Sequence, residues 1–329
     1  MSSINPTRIA TNQTAQGILS GIYNNYDEVQ KYSNELSSGY QVELPGDSSN
    51  GGTIQDTQNN LNQLTGYENQ IAPAQSNLSN QENIIDQAIN LVSQAQQYAE
   101  QGANQTEDQN ERDTIAQQVW QIRDQLVDLA NSQYQGQYVW SGTDTSTAPY
   151  AVTNPPTYTT GSTEAQQTYA YQGNTGTNSV QVGSGLSITT NTAGSSVWSQ
   201  VIDDVQNIGR ALEGYGDPSG SGADSGTTDT TLTATQQTEA LSNLETQIET
   251  DSNNSLVAEQ TSLGARQNRL TTAKSMIQSA QNSDQGVLNS TQNADSTTAA
   301  TDFQQAEFAL EASMQVNAKV LSMSILNYL

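Results

Sequence analysis

The sequence predicts a mainly α fold with a small β insertion, a long coiled-coil-like helical rod built from both chain ends. Three observations predict it. Leu64, Ile71, Leu78, Ile85, Val92 and Ala99 are spaced by seven without a break, and Leu256, Leu263, Leu270 and Ile277 repeat the spacing nearer the other end. Such sustained heptads mark long helices that pack along a seam. Between them, residues 141–195 turn to Thr, Gly, Tyr and Pro, with the period-two alternation of strands in "TYAYQG" and "SVQVGSGLSITT". Finally, both termini carry apolar stripes at helical spacing.

Taken in order, Ile18, Ile22, Tyr26, Val29, Tyr32 and Leu36 recur at three- and four-residue steps, an amphipathic helix from about Thr7 to Ser37. Gly, Pro and Asp in "SSGYQVELPGDSSNGG" end it. The first heptad helix, Ile54 to Ala103, has Tyr67, Ala74, Gln81, Ala88 and Ala95 at its second seam position. At 1.5 Å per residue it spans about 75 Å, and Pro73 should kink or split it. A return helix follows through Ile115, Val119, Ile122, Leu126 and Leu129, with Asn104 or Thr106 expected as its cap and Glu107 and Asp108 in the first turn. After the β segment, Val197, Val201, Val205, Ile208 and Leu212 restore helical spacing. "GDPSGSGADSGTTDTT" (216–231) reads as a flexible loop. Leu241, Leu244 and Ile248 lead into the second heptad. A last helix carries Phe303, Ala306, Leu310, Met314, Leu321 and Ile325 and runs almost to Tyr328 and Leu329. Three regions are therefore expected. Residues 1–40 with 285–329 form a terminal helical pair, 41–140 with 196–284 a long-helix rod domain, and 141–195 a small β domain.

Composition excludes several functions. Only 13% of the 329 residues are charged, with 34 acids against 9 bases and a formal charge of −25. A nucleic-acid partner needs a basic footprint, and an anionic membrane surface repels such a chain. With no Cys and no His, thiol nucleophiles, His triads and Cys or His metal sites are absent. No stretch approaches the ~18 apolar residues of a membrane span, and "MSSINPTRIATNQ" lacks the apolar core of a cleaved signal. The Gln, Asn, Ser and Thr that replace charge suit close contacts between like subunits; the alternative is partial disorder.

No catalytic constellation, cofactor motif or metal motif emerges. Asp203 and Asp204 are adjacent, so on a helix they point apart, and a solvated face is expected for them. "DPSGSGADSG" lacks the ligand spacing of a calcium loop. Core packing is the expected role of Trp120, while Tyr138 and Trp140 should cover the rod's end or the base of the β segment. Arg266 and Arg269 in "LGARQNRL" are either a solvated face or intersubunit polar contacts. The terminal stripes are the candidate assembly interface: Ile18, Ile22, Tyr26, Val29 and Leu36 with Phe303, Leu310, Met314, Asn317, Leu321, Ile325, Tyr328 and Leu329. The terminal helices either pair only with each other or pair and also pack on further copies. A two-helix pair has little core of its own, which favours assembly. Asn317 interrupts the stripe, where a buried polar residue sets register.

"RIATNQ", "NELSSGYQ", "ANSQYQGQYVWSG" (130–142), "LGARQNRL" and the terminal "NYL" occur in the order found in bacterial flagellins, and together the chain resembles that family. The Tyr138–Gly142 ending and "YQGNTGTNSVQVGSGLSITTNTAGSSVW" are more similar to its branch that joins hook to filament. Tyr40 and Gln41 stand where the family has a basic pair, and "GDSSN" replaces its "SDDP" loop. The resemblance implies a structural, non-enzymatic protein of the extracellular flagellum, exported unfolded without a cleaved signal peptide. It implies a hook–filament junction on the filament side. Its implied partners are copies of itself in a ring, the first hook-associated junction protein, flagellin and a flagellar export chaperone. A filament flagellin is the alternative within the class, and a cytoplasmic coiled-coil adaptor the alternative outside it. The zinc-protease insertion of some flagellins needs a His pair that this chain lacks.

Overall fold

A computed structural model describes residues 6–41, 50–104, 108–154, 161–216 and 230–326. It is 74% helical with few short strands. The chain divides into two compact units, residues 1–64 with 278–329 and residues 65–277.

The first unit is built on the terminal helices. α1 (Pro6–Ser38) packs on α8 (Ser296–Leu326). They run antiparallel: Asn25 donates to the Ala309 carbonyl at 3.2 Å, and Tyr40 pairs with Asn293. α1 stops at Gly39, whose φ of +77° suits glycine and lets its N–H reach the Glu35 carbonyl at 2.9 Å. Reciprocal backbone bonds from Gln41 to Gln292 and from Ala294 to Gly39 then fasten the α1 end beside the start of α8. Asp295 opens α8 by accepting from the Thr297 and Thr298 amides, which holds its carboxyl below the usual range. Residues 51–64 of α2 (Gly51–Gly102) complete the unit. There Ile54 packs on Leu288 of α7 (Ala258–Gln292), and Asn60 donates to Asp284 at 2.6 Å.

The second unit carries the heptad seams. Ile71, Leu78, Ile85, Val92 and Ala99 of α2 are all buried, as are Ala74, Gln81, Ala88 and Ala95 one seam position on. Leu256, Leu263, Leu270 and Ile277 are buried too. Three side-chain bonds, Gln75 to Thr271, Gln267 to Glu82 and Gln260 to Asp86, lace α2 to α7 in antiparallel register. Pro73 does not split α2. The helix continues through it, with the ring on the exposed side, so one lost amide bond does not outweigh packing on both sides of it.

α3 (Gln109–Ala130) returns along α5 (Ser199–Leu212), which also packs on α6 (Ala234–Ser252). The cap of α3 is Asp108, not Asn104; Thr106 lies outside the described residues. Asp108 and Glu111 form a reciprocal capping box at 3.0 Å each way. Asp108→Ala should cost about 0.5–2 kcal/mol, measurable as a lower urea midpoint. Two glycines permit close approach. A Cβ on Gly209 of α5 would lie 2.4 Å from the Trp120 ring, and one on Gly102 would lie 2.2 Å from Leu212. Trp120 is a core residue, as expected, and donates to Glu213 at 2.9 Å. α6 passes into α7 through a π-helical turn, Asn253–Val257.

The strands do not form one sheet. They make separate two-stranded antiparallel pairs: β1 (Gln133–Tyr134) with β2 (Gln137–Tyr138), β3 (Tyr150–Val152) with β4 (Tyr169–Tyr171), β5 (Ser179–Gly183) with β6 (Leu186–Thr189), and β7 (Tyr215–Gly216) with β8 (Thr230–Thr231). Between β3 and β4 lies the one-turn helix α4 (Thr163–Gln166). β1 and β2 join through Gln135 and Gly136, both at positive φ, the tight turn that matches strand twist. Two-residue ladders hold little hydrogen bonding, so packing fixes them. Trp140 and Trp198 are fully buried and meet edge to face at 5.5 Å. Tyr171 donates to the Trp140 carbonyl at 2.9 Å and Tyr150 to the Gly194 carbonyl at 3.0 Å. The loop expected at 216–231 falls largely on residues 217–229, outside the described residues.

Candidate assembly surface

The terminal pair buries one apolar face and exposes further apolar residues. Ile18, Ile22 and Val29 of α1 are half-buried, as are Phe303, Leu310 and Asn317 of α8; Ala299 and Ala306 are buried. This is the face on which the helices meet. A second set is exposed: Leu19, Tyr23 and Tyr26, at helical spacing along α1, and Phe308, Met314 and Val316 on α8. Tyr23 is 66% exposed and Phe308 75%, and Leu36 is also exposed. Tyr26 and Met314 therefore lie with the open face, not the paired one. The side chains of Leu321 and Ile325, and all of Tyr328 and Leu329, lie outside the described residues.

The sequence reading passes over Leu19, Tyr23, Phe308 and Val316. Their signal is present: the apolar positions of α1 occupy two adjacent stripes, wider than one partner helix covers. Scattered exposed apolar residues, as Phe308, Met314 and Val316 are around α8, are ordinary, but Leu19, Tyr23 and Tyr26 share one stripe of α1, and such a stripe marks an interaction surface. It is chemically plain, offering shape and apolar area and no reactive group.

Arg266 is engaged within its own chain. Its Nη1 donates to Thr192 Oγ1 at 2.9 Å and to the Asn191 carbonyl at 3.2 Å, and lies 3.6 Å from Glu259. On the neighbouring helix, Gln81, the polar member of the heptad seam, donates to the Thr190 carbonyl at 3.0 Å. Gln81 and Arg266 thus fasten the segment after β6 to α2 and α7. Burial pushes the Glu259 carboxyl up, while Thr192 and Arg266 oppose that shift. Arg269 is exposed. The adjacent acids also depart from expectation. Asp203 is exposed, but Asp204 is wholly buried, because α5 packs on α6 on the side Asp204 faces. Among the described residues no cluster of three or more acids could hold a metal ion, and no helix is long and apolar enough to cross a membrane.

An antiparallel terminal pair, heptad helices and small β pairs define a class, and comparison with known proteins gives the same class. Residues 9–145 match the bacterial flagellin N-terminal helical region. Two curated relatives, from Escherichia coli K12 and Salmonella typhimurium LT2, are each flagellar hook-associated protein 3. They are 28% identical over 151 residues and 29% over 148, covering 44% of this chain and 46% of the relative in both cases. The aligned part thus spans a little under half of either relative. The crystal structure of flagellar hook-associated protein 3 from Legionella pneumophila superposes with a TM-score of 0.60 at 14% identity, covering 72% of this chain and 98% of that one. That of Bacillus cereus FlgL gives 0.51 at 19% identity, covering 72% and 98%. The chain is flagellin-like in fold: residues 9–145 are similar to the N-terminal helical region of bacterial flagellins, and the fold is similar to that solved for hook-associated protein 3.

Proposed function

We propose that this chain is a structural protein of the bacterial flagellum that forms the junction between hook and filament, on the filament side. The observation that carries the reading is the terminal helical pair, which buries one apolar face between α1 and α8 and leaves a second stripe of α1, Leu19, Tyr23 and Tyr26, exposed. The fold shared with hook-associated protein 3 supports placing that face in a flagellar ring of like subunits. A first hook-associated junction protein lies on one side of the ring and flagellin on the other. Before export a chaperone covers the C-terminal helix, and the chain leaves the cell without a cleaved signal peptide. The role is structural and requires no catalysis. The interface includes Ile18, Ile22, Tyr26, Val29, Leu36, Phe303, Leu310, Met314, Asn317, Leu321, Ile325, Tyr328 and Leu329, with Arg269 the more available of the two arginines for contact between subunits.

A deletion strain tests the reading. It should build hooks, lack filaments and shed flagellin into the medium. A normal filament on the deleted background would contradict the junction role.

A further inference from the structure

Asp204 lies on the buried face of α5 with no exposed surface. Its Oδ1 accepts from Gln247 Nε2 of α6 at 2.9 Å. Its Oδ2 is buried too, and no N–H or O–H of a described neutral or basic group reaches it. What faces it is the carboxyl of Asp251, one turn beyond Gln247 on α6. Two carboxylates cannot both ionise at such a place, because each raises the cost of charging the other where solvent is excluded. A buried carboxylate oxygen with no donor is also costly in itself. A carboxyl that keeps its proton becomes a donor, and one proton between the two acids removes both costs. We propose that Asp204 and Asp251 share a single proton in the folded protein, and that this proton fastens α5 to α6 until alkali removes it.

The surroundings fit such a latch. Asp251 stands just before the π-helical turn Asn253–Val257, and its carbonyl accepts from Ser255 Oγ, so the last turn of α6 is held locally in an irregular register. Burial, and then Asp251, push Asp204 up to about 8; Asp203 adds to this and Gln200 on α5 opposes it. Asp203 lies exposed beside it, and Tyr150 from β3 lies within its field. The folded-state value of Asp204 lies above the ordinary 3.8. The folded chain therefore holds a proton that the unfolded chain has released, and the stabilisation is full below about pH 4 and lost as pH rises through about 8.

The test is urea unfolding of the full chain, followed by tryptophan fluorescence, from pH 5 to pH 9. The wild-type midpoint should fall steadily from pH 5 to about pH 8 and level off by pH 9. Asp204→Asn supplies a permanent N–H donor toward Asp251, so its midpoint should be nearly flat over that range and lie above wild type at pH 9. Asp251→Asn is the reciprocal replacement and should behave alike. Asp203→Asn should leave the slope above pH 7 unchanged. Infrared spectra supply a readout that a merely structural role would not move: the C=O band of protonated carboxylic acid at pH 7 should weaken in Asp204→Asn. An unchanged pH slope in both facing-acid variants, a slope above pH 7 lost in Asp203→Asn, or an unaltered band overturns the proposal.

Discussion

Aspartates in place of Phe308 and Met314 should abolish self-association while leaving the monomer's stability where it is. The monomer prediction follows from exposure: Phe308 keeps 75% of its surface and Met314 half, and substitutions at such positions fall within about ±0.5 kcal/mol. The assembly prediction follows from the proposed ring, in which a neighbouring copy would cover them. Fully burying a Phe or Met contributes roughly 1.5–3 kcal/mol, so losing two contributes a loss of roughly 3–6 kcal/mol. That raises the concentration needed for assembly on the order of 10²–10⁴-fold, before the cost of burying two carboxylates. Sedimentation velocity reads the association and a thermal melt reads the fold. Assembly at the wild-type concentration would show that this face stays open in the assembled protein.

The second large effect is in the core of the other unit. Trp198→Ala should lower stability by about 3–5 kcal/mol, the cost of emptying a large buried aromatic site. The site is fully buried, and its edge-to-face contact with Trp140 at 5.5 Å and 74° is lost as well, about 0.5–1.5 kcal/mol more. For a unit of this size each kcal/mol lowers Tm by roughly 2–4 °C. The fall should therefore be at least several degrees, and calorimetry measures it. It should exceed the effect of the Asp108 cap, because a cap leaves no cavity.

The long helices are legible in sequence because their signal is local and repeated. Leu78 and Ile85 sit at a fixed spacing that only a seam explains, and the structure buries both. The same spacing places Gln81 in the seam. What it cannot carry is the partner, since the Thr190 carbonyl that Gln81 reaches lies 109 residues away. Adjacency correctly implies that Asp203 and Asp204 point apart. It does not say which of them meets α6, because that depends on the packing angle of a helix 30 or more residues further along. Arg266 reads from sequence as a surface cation, yet a segment from the β region comes across to it. Strand alternation locates β4, β5 and β6, but pairing is nonlocal, so four separate ladders were not distinguishable from one sheet. On the terminal helices, the stripe that pairs is legible. The second stripe, Leu19, Tyr23 and Tyr26, stands out only once the first is seen to be covered.

The central claim is a position: a ring of this chain between hook and filament. Antibody labelling of purified flagella from a wild-type strain tests it most directly. The account predicts one short band of label where the hook meets the filament, and none along the shaft. Continuous label along the filament, or a flagellum with no label at all, would contradict it.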